Sequence, residues 1–193
     1  MFRFITNLAQ TMAVLGGLVL TALVLLICIS VLGRGGNTFA HWDALQTAAP
    51  GVSAFLLGSG IAPVPGDYEI LEAAIAFSIF AFLPLCQLKS AHATVDVFTS
   101  FLPTRANIRL QAFWEVMLTL AILLITWRLG VGMASKISNG EVTLLLGFPK
   151  WWAFAASLVA AIAASIVALY CAYARSLAAL SGKEVNLGQH EGL

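Results

Sequence analysis

The charges of this chain are few, and they are spaced so that four long apolar runs stand between them. No Asp, Glu, Lys or Arg falls between Arg3 and Arg34, between Glu72 and Lys89, or between Lys150 and Arg175. A fourth run, 110–133, carries only Glu115 and Arg128. A helix that crosses a bilayer needs about 20 mostly apolar residues, and all four runs qualify. With 60% hydrophobic residues and a mean hydropathy of +0.93, the chain lies outside the composition of soluble domains. The expected fold is all-α: one polytopic membrane domain over 1–180 with four transmembrane helices, then a short polar tail over 181–193.

The same composition removes several functions. A net charge of +1 with no cluster of Lys and Arg offers nothing to a phosphate backbone, so nucleic acid is not a partner. Cys28, Cys86 and Cys171 each stand alone in an apolar run. Without a C-x-x-C pair they read as packed small hydrophobes, not as redox or metal groups. His41, His92 and His190 fall in connections or the tail, so no two intramembrane histidines stand ready to ligate a haem. H-E-x-x-H, G-x-S-x-G and phosphate-loop motifs are missing. An enzyme is poorly supported and no cofactor is expected. This also disfavours the second reading, a stand-alone four-helix redox or haem module.

Along the chain, the first helix is expected at about 9–32. Its apolar stretch, 12–32, exceeds the 7 to 15 residues of a signal peptide and no A-x-A site follows, so it stays as a span. Gly33, Gly35 and Gly36 are expected to end it at the interface. A long connection rich in Pro and Gly follows over 37–67. Its apolar piece 52–57 is too short to span and is expected against the membrane surface or another subunit. The second helix, 68–88, opens with Asp67, Glu69 and Glu72 near the positive end of its dipole. Residues 89–109 are too polar to cross lipid and read as an interfacial amphipathic segment. The third helix is placed at 108–133 and the fourth at 151–175, with Trp114, Trp127, Trp151, Trp152, Tyr170 and Tyr173 as rim aromatics. Arg3, Lys89, Arg105, Arg109, Arg175 and Lys183 on one side, against Arg34, Arg128, Lys136 and Lys150 on the other, favour both termini in the cytoplasm.

Several residues invite a role. On the fourth helix Ala156, Ala160, Ala164, Ala168 and Ala172 form one small-residue ribbon, with Ala153, Ser157, Ala161 and Ser165 beside it. Small faces let helices approach closely in lipid, either within the chain or against a partner. Glu72 lies 17 residues from Lys89 and Arg128 lies 19 from Arg109, which puts both at similar depth. Either the two pair or each reaches separately to water. Glu115 has no basic residue three or four positions away, so water, a lipid head group or a second protein are its open choices. Mid-membrane polar breaks and internal repeats, the usual signs of a substrate site, are not seen. Transport by this chain alone is therefore not expected.

A set of local motifs points further. Gly66-Asp67-Tyr68-Glu69-Ile70-Leu71-Glu72 opens the second helix, then come His92-Ala93-Thr94-Val95-Asp96, Leu102-Pro103, Gly140-Glu141 and Pro149-Lys150-Trp151. In order and spacing, over roughly 66–175, this resembles the small membrane subunit, DctQ type, of a tripartite ATP-independent periplasmic (TRAP) transporter. Two features depart from the family's pattern: Ser90-Ala91 stand where many members have glycines, and the first connection is long. The resemblance implies a bacterial inner-membrane uptake system in which a periplasmic binding protein delivers an organic acid to a large, sodium-coupled membrane subunit. The small subunit would hold that large one still. Both termini would lie inside, with an interfacial helix between spans two and three. Glu69, Glu72, His92, Asp96, Glu115, Arg128, Glu141, Pro149 and the first alanine ribbon are the candidate structural or interface residues.

Overall fold

Within lipid no water is present to satisfy a bare peptide group, so a long apolar run resolves itself as a helix. The computed structural model describes residues 2–89 and 104–181. Its helices are α1 (Phe2–Ala40), α2 (Asp43–Ala48), α3 (Pro50–Gly58), α4 (Asp67–Leu88), α5 (Thr104–Asn139) and α6 (Trp151–Ser181). Of these, α1, α4, α5 and α6 are long and apolar enough to cross a membrane. The protein is a multi-pass membrane protein. The expected interfacial segment, with His92, Asp96 and Pro103, falls mainly on residues outside the described ones, as does the polar tail.

Three spans run past their expected ends, and α1 does so most. At 39 residues it is about 58 Å long by helical rise, well beyond a hydrocarbon layer of about 30 Å. It passes straight through Gly33, Gly35 and Gly36, the glycines expected to end it. The reason lies in what returns to it. A Cβ on Gly33 would overlap the carbonyl of Ala62, and one on Gly36 would come within 2.7 Å of Ile61 Cγ2. These two glycines are close-approach positions: Gly33 admits the backbone that leads into α4 and Gly36 the Ile61 side chain, at a cost of about 1 kcal/mol each in helix propensity.

The connection 37–67 is not structureless either. It holds α2 and α3, and α3 begins at Pro50, where the missing N–H would have had no helical acceptor. Ser53 Oγ donates to the carbonyl of Ala40 at 2.8 Å, satisfying one of the last carbonyls of α1. The piece 52–57 therefore lies in a helix docked on the end of α1, with Val52 and Phe55 left exposed.

The spans pack in the order α1, α4, α6, α5, so the last helix of the chain is central. Half of its most apolar stretch is buried, against 11% to 17% in the other three. The small-residue ribbons explain this position, because alanine and serine let three neighbours close on one helix. Ala160, Ala161, Ala164 and Ala168 are fully buried, with Ser157 and Ser165 beside them, while Ala156 is exposed. The ribbon expected to serve the chain or a partner serves the chain from Ala160 onward.

Ile5 and Ala9 of α1, Leu88 of α4, and Val167 and Cys171 of α6 form one core cluster. The start of the first span thus lies level with the ends of the second and fourth. This end of the bundle is the terminal rim, and the opposite end, which carries the connections 41–66 and 140–150, is the loop rim.

Candidate functional site

At the terminal rim a buried polar node ties α4, α5 and α6 together. Gln87 Nε2 donates to Glu115 Oε1 at 2.9 Å, and Arg175 Nη1 donates to Glu115 Oε2. Arg175 Nη2 reaches the main-chain oxygen of Gln87 at 3.3 Å. Thr119 Oγ1 donates to the carbonyls of Glu115 at 2.8 Å and Ala168 at 3.3 Å. Glu115 is only 4% exposed and the Arg175 side chain 14%. An uncompensated carboxylate would be costly at this depth, and the node supplies it with a cation and an amide. The partners missing from its own helix face come from two other helices, Gln87 from α4 and Arg175 from α6.

At the loop rim a second node joins α1 to the start of α4. Ser30 Oγ donates to Asp67 Oδ2 at 2.5 Å, and Arg34 Nη2 to the same oxygen at 3.1 Å. The N–H of Tyr68 donates to Asp67 Oδ1 at 2.8 Å, and the Arg34 guanidinium sits 5.9 Å from the centre of the Tyr68 ring. Val64 N–H donates to Ser30 Oγ at 3.3 Å, fastening the incoming backbone. Asp67, read from the sequence as a helix-dipole carboxylate, is the hub that clamps two spans.

Glu69 does something the sequence did not suggest. Its two oxygens accept from the N–H groups of Leu145 at 2.7 Å and Leu146 at 2.9 Å, at the tip of the α5–α6 connection. That connection is a tight hairpin: Thr143 N–H donates to Phe148 O at 2.9 Å, Lys150 N–H donates to Glu141 O at 3.0 Å, and Val142 pairs antiparallel with Pro149. Leu146 also covers the spot above Gly66, whose φ of +77° favours glycine and whose Cβ would lie 2.5 Å from Leu146 Cγ. At the hairpin base both Glu141 oxygens accept from Lys136 Nζ at 2.8 Å, with Lys150 Nζ 3.7 Å away. The Lys136 ammonium holds the Glu141 carboxyl below its ordinary value of 4.5.

The ion pair considered between Glu72 and Arg128 is not formed. Both side chains are exposed, and the salt bridges among the described residues do not join them. The physical reason is the packing order, since α6 stands between α4 and α5. Those two helices approach at the terminal-rim half, where Gln87 meets Glu115 and where Leu83 and Leu118 share one cluster. Of the expected residues, the structure brings Glu69, Glu141 and Pro149 to the hairpin, puts Glu115 in the inner node, and leaves Glu72 and Arg128 facing outward. His92 and Asp96 lie outside the described residues. Sequence reasoning missed Gln87, Ser30 and the partnership of Arg175. Gln87 is an amide at the end of an apolar helix, the one signal that was available.

The sequence that folds into these nodes and this hairpin matches a known family. A family model described as "Tripartite ATP-independent periplasmic transporters, DctQ component" matches residues 23–179, most of the chain. The chain belongs to the DctQ family. No curated protein and no solved structure matches it. The DctQ match reaches back into α1 and across the long connection, further than the motifs over 66–175 had suggested. As a DctQ chain it is a membrane component of a tripartite transporter, and a system of three parts implies partner subunits. The motif that opens α4 is, in this DctQ component, the set of residues that builds the loop-rim node and the hairpin strap.

Proposed function

We propose that this DctQ chain is the small permease subunit that braces a large, ion-coupled membrane subunit while that subunit takes up a dicarboxylate-like organic acid. A periplasmic binding protein delivers the substrate. The assembly sits in the bacterial inner membrane with the terminal rim, and so both chain ends, in the cytoplasm. The observation that carries the reading is the locking of the four spans to one another: the Gln87, Glu115 and Arg175 node ties α4, α5 and α6 at the terminal rim, and the Ser30, Arg34 and Asp67 node ties α1 to α4 at the loop rim. Hydroxyls within the spans, Ser78, Thr119, Thr126 and Ser165, donate to main-chain carbonyls, so they are spent on helix packing and do not line a path. A moving transport domain needs a part that stays still, and a body with long helices and rim aromatics resists tilt and vertical displacement.

The test is reconstitution. In sealed vesicles the chain alone gives no saturable, gradient-driven uptake of an organic acid; together with the large subunit and the binding protein it does. Uptake by this chain alone overturns the proposal.

A further inference from the structure

Two charges of opposite sign leave the bundle within the depth of the bilayer. Arg128 follows Thr126, whose Oγ1 lies 3.3 Å from the Ala161 carbonyl and 2.9 Å from Ser165 Oγ. It precedes Gly132, where a Cβ would lie 3.0 Å from the Phe154 ring. Arg128 is therefore level with the middle of that stretch of α6, about 12 Å below Trp151 by helical rise. Glu72 is five residues below Asp67, about 7 Å by the same measure. Both are exposed, and neither has a partner among the described residues. Charges at such depth face a bundle interior, a water-filled space or another charge.

The two also flank one seam. Glu72 lies eleven residues from Leu83, three helical turns, and so nearly on its face. Leu83 packs against Ile122, Ala164 and Ala168 together with Leu118 of α5. Ile125 is seven residues from Leu118 and shares its face, yet it is exposed. By that level α4 and α5 have parted, and Arg128 is one turn further along. The exposed charges thus stand on either side of the line where the helices separate toward the loop rim. By contrast, the outer face of α1, with Leu18 and Leu25, is apolar and uncharged between Arg3 and Arg34, as a lipid-facing surface should be.

We infer that the α4–α5 side carrying Glu72 and Arg128 is the surface on which the large membrane subunit docks. That partner would place a carboxylate opposite Arg128 and a cationic or N–H-donating group opposite Glu72. The inference rests on the small-subunit reading above, which supplies the partner; the outward charges supply the face. Opposite charges at an interface fix register and exclude wrong partners, and removing one leaves its counterpart stranded.

In-membrane photo-crosslinking tests this with the full complex in native membranes. A photoreactive residue at Ile125 forms an adduct identified by mass spectrometry as the large subunit, whereas one at Leu18 labels lipid. Arg128→Met lowers the Ile125 adduct by at least about tenfold, Arg128→Lys retains most of it, and the thermal midpoint of the isolated subunit is unchanged by either. Lipid-only or self-adducts at Ile125, while the wild-type chain still co-purifies with the large subunit, overturn the docking face and leave the functional reading standing. A wild-type chain that retains no large subunit overturns both.

Discussion

Glu115 and Arg175 are 60 positions apart in the chain, yet they form its most buried ion pair among the described residues. Removing one member of such a pair leaves the other uncompensated, at a cost of about 3–5 kcal/mol. Glu115→Ala and Arg175→Ala should each lower stability by that order, and the double substitution should recover part of the loss. Thermal unfolding in detergent, analysed as a double-mutant cycle, checks this; simple additivity would count against the pair. Glu141 belongs to the solvent side of the same chemistry. Its carboxyl is held low chiefly by Lys136, so the folded state favours the ionised form. The stabilisation is full above the unfolded value of 4.5 and disappears as pH falls through the lower folded value. Wild type should therefore melt above Glu141→Gln at pH 7 and lose that lead in acid below pH 4.5. A lead that persists unchanged in acid would show that the Lys136 contact is not its source. The Glu115 and Arg175 pairing was not legible from spacing, because its partner is brought in by the approach of a different helix, whereas Lys136 and Glu141 are only five residues apart.

At the scale of elements, α6 is the helix on which the others are assembled, and its alanines are the reason. Ala164 is fully buried between α4 and α5 neighbours, so Ala164→Leu should force the helices apart at a cost of roughly 1–3 kcal/mol. Ile162→Leu, on the exposed face of the same helix, should leave the melting temperature nearly unchanged. Equal effects at the two positions would sink the assignment of faces. The alanine ribbon was visible in the sequence, and so was its meaning as a packing face. Which neighbour it packs against was not, since small residues announce a close approach without naming the approaching helix. The glycines at 33 and 36 teach the same lesson in reverse. Locally they read as a stop, and only the return of residues 61 and 62 shows that they are a seat.

For the whole molecule, the packing order α1, α4, α6, α5 makes a definite forecast about cooperative strength. Local opening follows burial and contact density, so hydrogen exchange in micelles should be slowest in α6 around 160–168. It should be fastest in α2 and α3, which rest on the end of α1. Protection that is even across all the helices would contradict a central α6. The same order explains why Glu72 and Arg128 stay apart: helices consecutive in sequence are not side by side here through the loop-rim half.

The number of spans, their apolar character, the family and the small-residue face of the last helix were all determined by the sequence alone. They depend on local hydropathy and on periodicity, which a chain displays residue by residue. The order in which the spans pack, the partners of Glu115, Asp67 and Glu69, and the direction in which Glu72 and Arg128 point were decided only in the tertiary structure. Every one of these depends on which helix stands beside which, and lipid solvates all four apolar helices alike, so hydropathy carries no information about their neighbours.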